Sequence, residues 1–212
     1  MGKIIFTIAA IILLNLVPLA GKPELLMHYK TLVLVVAAAC LWLSQPAFSS
    51  QDTKANRNSD KSSILVILIM SSASVVFSVV EWAYFTDTTY SSNLLTILGL
   101  VLLVGGITIR IWAIQTLGKH FTATATINND HRLIENGPYK FVRHPSYLGA
   151  FMAILGTPVF LNAHWAILFV IIAMSIAYYI RISVEEKMLF DYFGKNYEQY
   201  KLNTKRIIPY IW

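Results

Sequence analysis

Residues 147–182 read YLGAFMAILGTPVFLNAHWAILFVIIAMSIAYYIRI, and this stretch decides the fold. It contains no Asp, Glu or Lys, and its one Arg stands near the end, at position 181. Two apolar runs, 147–161 and 165–182, are separated only by Asn162-Ala163-His164. A helix that is apolar all round has no face to offer water, so both runs belong inside a core or a membrane. The first run is short, at 15 residues, and the break is the length of a tight turn. Together they read as a helical hairpin that returns the chain to the side it left.

The rest of the chain chooses the membrane. Of the 212 residues 56% are hydrophobic and 13% charged, with a mean hydropathy of +0.58, values that would leave a soluble domain covered in apolar patches. Further uncharged runs long enough to cross about 30 Å of hydrocarbon lie at 4–20, 31–48, 64–84 and 94–117, the last interrupted by Arg110. The expected fold is all-α: a polytopic membrane bundle of about six transmembrane helices with a cytoplasmic loop and a C-terminal tail helix. Lys3 before the first run invites a signal-peptide reading, but Pro18-Leu19-Ala20 is a poor cleavage site and the run is kept as a helix. Met1-Gly2-Lys3 lacks the Ser or Thr that myristoylation wants at position 6, where Phe6 stands.

Six spans divide the loops into two sets. One side carries Lys3; Lys54, Arg57 and Lys61; Lys119, Arg132, Lys140 and Arg143; and the six cations from Arg181 onward, while the other carries Lys22 and Lys30. The asymmetry places both termini and the stretch 137–149 in the cytoplasm. The net charge of +6 then reflects orientation and an anionic leaflet rather than nucleic acid. Arg110 is read as snorkelling to the interface, Glu81-Trp82 as an interfacial anchor, and the single Cys40 as a small buried apolar residue.

Residues 51–62, QDTKANRNSDKS, form a polar linker that divides an N-terminal helix pair (1–62) from a core (63–212). Within that core the insert from about 118 to 146 is long for a connection between membrane helices, which favours function. A tail with Leu189, Phe190, Phe193, Tyr197 and Tyr200 is spaced as a helix packed at the interface.

No G-x-G-x-x-G follows a strand and no Walker lysine is present, so any nucleotide must be held by helices and loops. His120, His131 and His144 are too widely spaced, with no carboxylate at helical spacing, to suggest a metal. What remains is a polar set flanking the hairpin: Tyr139, Arg143, His144 and Tyr147 on the way in, Arg181, Glu185 and Glu186 on the way out. Arg181 and Glu185 share a helix face, and the bland reading is a salt bridge. Arg before Glu is the weaker orientation, however, and charges at a membrane boundary favour function.

These blocks carry a resemblance. Gly137-Pro138-Tyr139, Arg143-His144-Pro145-Ser146-Tyr147-Leu148-Gly149, Arg181 with Glu185-Glu186, and Phe193-Gly194 with Tyr197 and Tyr200 resemble the isoprenylcysteine carboxyl methyltransferase family over roughly 93–212. The first 90 residues carry no such signal. The resemblance implies S-adenosylmethionine as cofactor, held in 118–147 and 181–201. His131, Leu133 and Ile134 would meet adenine and ribose, Tyr139 and Tyr147 the sulfonium, His144 the carboxylate and Glu185 the ammonium, with Pro145 beside them. Arg181 would be the catalytic residue, holding the substrate carboxylate, with Arg143 also on the substrate side. The implied acceptor is a lipophilic small molecule or lipidated substrate; a phospholipid amine or small thiol, or an NADPH reductase of similar shape, remain as alternatives, and so does a non-catalytic adaptor or transporter.

Overall fold

The computed structural model describes residues 2–45, 58–86, 93–121 and 132–208. The expected linker therefore lies largely outside the described residues, and its last residues are helical, because the third helix starts at Asn58. Seven α-helices follow in order: α1 (Gly2–Ile11), α2 (Tyr29–Ser44), α3 (Asn58–Tyr84), α4 (Asn93–Leu117), α5 (Pro145–Leu161), α6 (His164–Phe193) and α7 (Lys195–Asn203).

Each of the six apolar runs is helical over most of its described residues, and the chain is an integral membrane helical bundle. Among the described residues four stretches are long and apolar enough to cross a bilayer: Gly2–Leu19, Ser62–Tyr84, Asn93–Leu117 and His164–Phe193. α2 and α5, of 16 and 17 residues, fall short. At about 1.5 Å per residue they span roughly 24 to 26 Å. α1 does not run on as a regular helix: it widens into a π turn over Ile12–Leu16 and then tightens into a 3-10 turn over Val17–Leu19, where Pro18 removes a backbone donor.

The hairpin turns where the sequence places it. Asn162 takes a left-handed conformation (φ 62°) as the C-cap of α5, its side-chain amide donates to Thr96 Oγ1 at 2.9 Å, and α6 begins at His164. At this end Glu81 departs from expectation. It is buried within the protein rather than exposed, and its carboxylate accepts the N–H groups of Trp165 (3.0 Å) and Ala166 (2.6 Å). An anion there satisfies two of α6's unpaired donors and complements its dipole. Cys40 is likewise not buried but exposed on α2.

The closest helix pair is α4 with α5, and glycine makes it possible. A Cβ on Gly106 would fall 2.5 Å from Ala153 N and Gly149 O, and one on Gly149 would fall 2.6 Å from Arg110 N and Gly106 O. The two backbones are in contact, as small residues allow between membrane helices. α6 continues unbroken past the apolar run as far as Phe193, so Arg181, Glu185 and Glu186 share one rigid helix with the span below them. Gly194 (φ 53°) breaks it before α7.

Candidate active site

Three stretches of chain meet at one end of the bundle. A 3-10 turn over Gly137–Lys140 presents Tyr139, whose hydroxyl lies 3.4 Å from Ala113 O and whose carbonyl accepts from the Tyr200 hydroxyl at 2.7 Å. Val142 and Lys205 form a parallel β-bridge, with Arg143 N donating to Lys205 O (2.8 Å) and His144 N to Arg206 O (3.0 Å). The chain then enters α5 with Pro145 at its first turn, where a missing N–H costs nothing.

Glu186 anchors this junction. Arg143 Nε reaches Glu186 Oε1 and Arg206 Nε reaches Glu186 Oε2, both at 2.9 Å, and His144 Nε2 stands 3.5 Å from Oε1. Arg143 also donates to the carbonyls of Lys201 and Thr204. Its guanidinium is thus committed to the protein, although the residue still lines the cavity. The tail after α7 holds the site together: Ile207 is buried in the apolar cluster of Val170, Met174, Tyr178 and Ile182. Burial pushes the phenols of Tyr139, Tyr197 and Tyr200 far above their ordinary range, so all three stay neutral.

One helical turn earlier on α6, Arg181 and Glu185 are not in direct contact of good geometry: Arg181 Nε lies 4.0 Å from Glu185 Oε2. Tyr147 stands between them. Its hydroxyl donates to Glu185 Oε2 at 2.6 Å and accepts from Arg181 Nε at 3.1 Å, while Arg181 Nη1 donates to Ser63 Oγ of α3 at 3.0 Å.

These groups face a cavity of about 590 Å³. Its polar part is lined by Arg110, Tyr139, His144, Tyr147, Arg181 and Glu185, with Leu133 and Ile134 beside them. The first three helices supply a largely apolar share of the same lining, its apolar limb: Phe6 and Leu14 of the first segment, Leu41 of α2, and Ile64, Ile67 and Val75 of α3, with Lys3, Gln45 and Ser71 among them. Of the expected site residues, Tyr139, Arg143, His144, Tyr147, Arg181, Glu185, Leu133 and Ile134 come together here. Pro145 is fully buried at the start of α5 and does not line the cavity, and His131 lies outside the described residues.

Sequence reasoning missed several members. Arg110, expected to snorkel, is buried beneath the start of α5, where Nη1 donates to Ser146 O at 3.0 Å. Tyr178 stacks against Tyr147 at 5.3 Å, and the N-terminal helices line the apolar limb. The glycines spaced by seven at 99 and 106, and at 149 and 156, were the available signal for Arg110, because they mark the α4 face that packs on α5.

A partly exposed carboxylate, aromatic faces and guanidinium groups thus line one cavity together with apolar side chains of the first three helices. Residues 97–191 match the family described as the isoprenylcysteine carboxyl methyltransferase (ICMT) family. The protein-S-isoprenylcysteine O-methyltransferase of Saccharomyces cerevisiae is 34% identical over 123 residues, covering 57% of this chain and 52% of that protein. Its counterpart from Xenopus laevis is 32% identical over 139 residues, covering 62% and 48%. The solved structure of the eukaryotic intramembrane Ras methyltransferase ICMT superposes with a TM-score of 0.67 at 26% identity, covering 99% of this chain and 75% of that one. Over residues 97–191 the chain is similar in sequence to the isoprenylcysteine carboxyl methyltransferase family, and its helical fold is similar to that of a solved member. The chain spans about half the length of the yeast and Xenopus relatives.

Proposed function

We propose that the protein is an integral membrane methyltransferase that moves a methyl group from S-adenosylmethionine to the carboxylate of a lipophilic acceptor such as a prenylcysteine. The observation that carries this reading is the continuity of one cavity from the Arg181, Tyr147 and Glu185 cluster to the apolar limb between α1, α2 and α3. A water-soluble donor and a lipid-phase acceptor need such a junction. The names of the relatives add the acceptor class.

The residues fit the donor. Glu185, partly exposed to the cavity, offers a carboxylate to an ammonium; Tyr139 and Tyr147 offer aromatic faces to a cation; and His144 lines the cavity with its Nε2 3.5 Å from Glu186 Oε1. Bound S-adenosylmethionine would supply an electrophilic methyl group. The chain's own task is positioning, which in well-oriented reactions supplies about 7 to 11 kcal/mol of the barrier. Arg181 would hold the acceptor carboxylate with a planar fork and aim one oxygen. Tyr147 would fix Arg181 and Glu185 relative to one another, so that donor and acceptor ends stay in register. The distribution of Lys and Arg supports a cytoplasmic opening.

Incubation of the purified protein with methyl-labelled S-adenosylmethionine and a prenylcysteine free acid tests the reading. The expected product is a base-labile methyl ester. Label appearing only in phospholipid amines or thiols would reassign the acceptor, and no binding of S-adenosylhomocysteine would remove the methyltransferase reading.

A further inference from the structure

Arg110 stands apart from the other arginines of the site. Arg143 has Glu186 at 2.9 Å and Arg181 has Glu185 at 4.0 Å, but among the described residues no carboxylate lies within ion-pair distance of Arg110. It is 5% exposed, its Nε is buried without a hydrogen-bond partner, and Nη1 donates to the Ser146 carbonyl. One of its five N–H donors is therefore placed on a described protein acceptor. The residue also lines the cavity, in company with Tyr139, Tyr147 and Tyr178.

A guanidinium withdrawn from water without a counter-charge is among the least favourable arrangements a fold can hold. Nor can Arg110 escape by snorkelling. The backbone contact of Gly106 with Gly149 fixes its turn of α4 under the start of α5, seven residues short of the helix end at Leu117. The tyrosines around it are neutral and the Tyr147 hydroxyl proton is already spent on Glu185. Among the described residues nothing supplies the missing anion, the guanidinium lines the cavity, and its planar fork matches a carboxylate.

We infer that Arg110 is a ligand-binding residue whose guanidinium takes the carboxylate of a molecule bound in the cavity. The inference rests on the methyltransferase reading, in which two such groups enter: the amino-acid carboxylate of the donor and the carboxylate of the acceptor. The competing account makes Arg110 a tie between α4 and α5 through Ser146 alone.

The test uses the full chain in detergent and the variants Arg110→Gln and Arg110→Lys. Calorimetry measures S-adenosylhomocysteine and decarboxylated S-adenosylmethionine, which lacks the carboxylate; turnover measures KM for a prenylcysteine free acid. If the donor carboxylate is the partner, Arg110→Gln lowers affinity for S-adenosylhomocysteine by about tenfold or more and for the decarboxylated analogue by about twofold or less, the difference expected of one charge-assisted contact. If the acceptor is the partner, both donor affinities hold and KM rises by a similar factor. Should Arg110→Gln fail to fold, Arg110→Lys keeps the charge without the fork and is expected to show the same selectivity in smaller degree. Equal loss for both donor ligands, or no change in either affinity or KM, overturns the inference and leaves the tie. Failure of the wild-type chain to bind S-adenosylhomocysteine overturns the methyltransferase reading and the inference with it.

Discussion

The Tyr147 hydroxyl donates to Glu185 at 2.6 Å, a bond that helps fasten the start of α5 to the face of α6 that carries the polar cluster. The same oxygen accepts from Arg181, so a neutral phenol holds an anion and a cation apart. Removing it with Tyr147→Phe lets the pair collapse or drift while leaving the ring in place. Loss of a hydrogen bond to a charged group costs about 1.5 to 3 kcal/mol. A fall in kcat/KM of that size, with a smaller loss of S-adenosylhomocysteine affinity, is expected in paired turnover and binding measurements.

Arg181 and Glu185 are expected to fail differently. Glu185→Gln weakens S-adenosylhomocysteine binding by about 1.5 to 3 kcal/mol, whereas Arg181→Ala leaves that affinity nearly unchanged and abolishes turnover on a carboxylate acceptor. Equal loss of cofactor binding in the two variants would mean that they form a structural pair and nothing more.

Glu186 is expected to matter for stability before it matters for catalysis. It is 6% exposed and carries Arg143 and Arg206 on its two oxygens. Glu186→Ala strands the buried Arg143 and is expected to cost about 3 to 5 kcal/mol. Arg206→Ala, which removes a partner that is 29% exposed, costs less. Thermal midpoints in detergent rank the two.

The contact of α4 with α5 makes a sharper forecast. Gly149→Val drives side-chain atoms into Arg110 N and Gly106 O, backbone atoms that cannot yield, and is expected to destabilise the protein by about 3 kcal/mol or more. Gly105→Ala is the control. A Cβ there meets only Met152 Cε, at 3.8 Å, and the variant is expected to fold and bind as wild type. Helical content and S-adenosylhomocysteine binding read both.

Alkaline titration checks the burial around α7. The phenols of Tyr139, Tyr197 and Tyr200 are raised by desolvation, so their folded forms bind a proton more tightly than the unfolded chain does. Their contribution to stability is complete below the unfolded value of about 10 and is lost as pH rises above it. Ultraviolet titration is expected to show these three ionising only with unfolding; reversible ionisation near pH 10 in the folded protein would contradict their burial.

Much of this arrangement was legible from the sequence. The apolar runs marked the helices, Asn162-Ala163-His164 marked the turn, and a short hairpin was bound to bring residues 137–147 and 181–186 to one end. The individual charges were harder to read. Hydropathy treats Arg110 and Glu81 alike, as interruptions near a boundary, because it sees neither the glycine contact that carries Arg110 under Ser146 nor the unpaired N–H groups of α6 that draw Glu81 inward. The docking of residues 204–207 on 142–144 uses main-chain groups, which leave no trace in side-chain pattern. The cavity wall contributed by α1 and α2 follows from packing alone.

α3 touches α6 at both ends, through Glu81 on the N–H groups of Trp165 and Ala166 and through Ser63 on Arg181. It therefore works as a gauge rod. Deleting one residue between Ser63 and Glu81 would shorten α3 by about 1.5 Å and turn one end against the other by about 100°. Both fastenings could not then be made at once. The segment 64–80, although it holds none of the reacting groups, can tolerate exchanges of one apolar side chain for another but not a change in length.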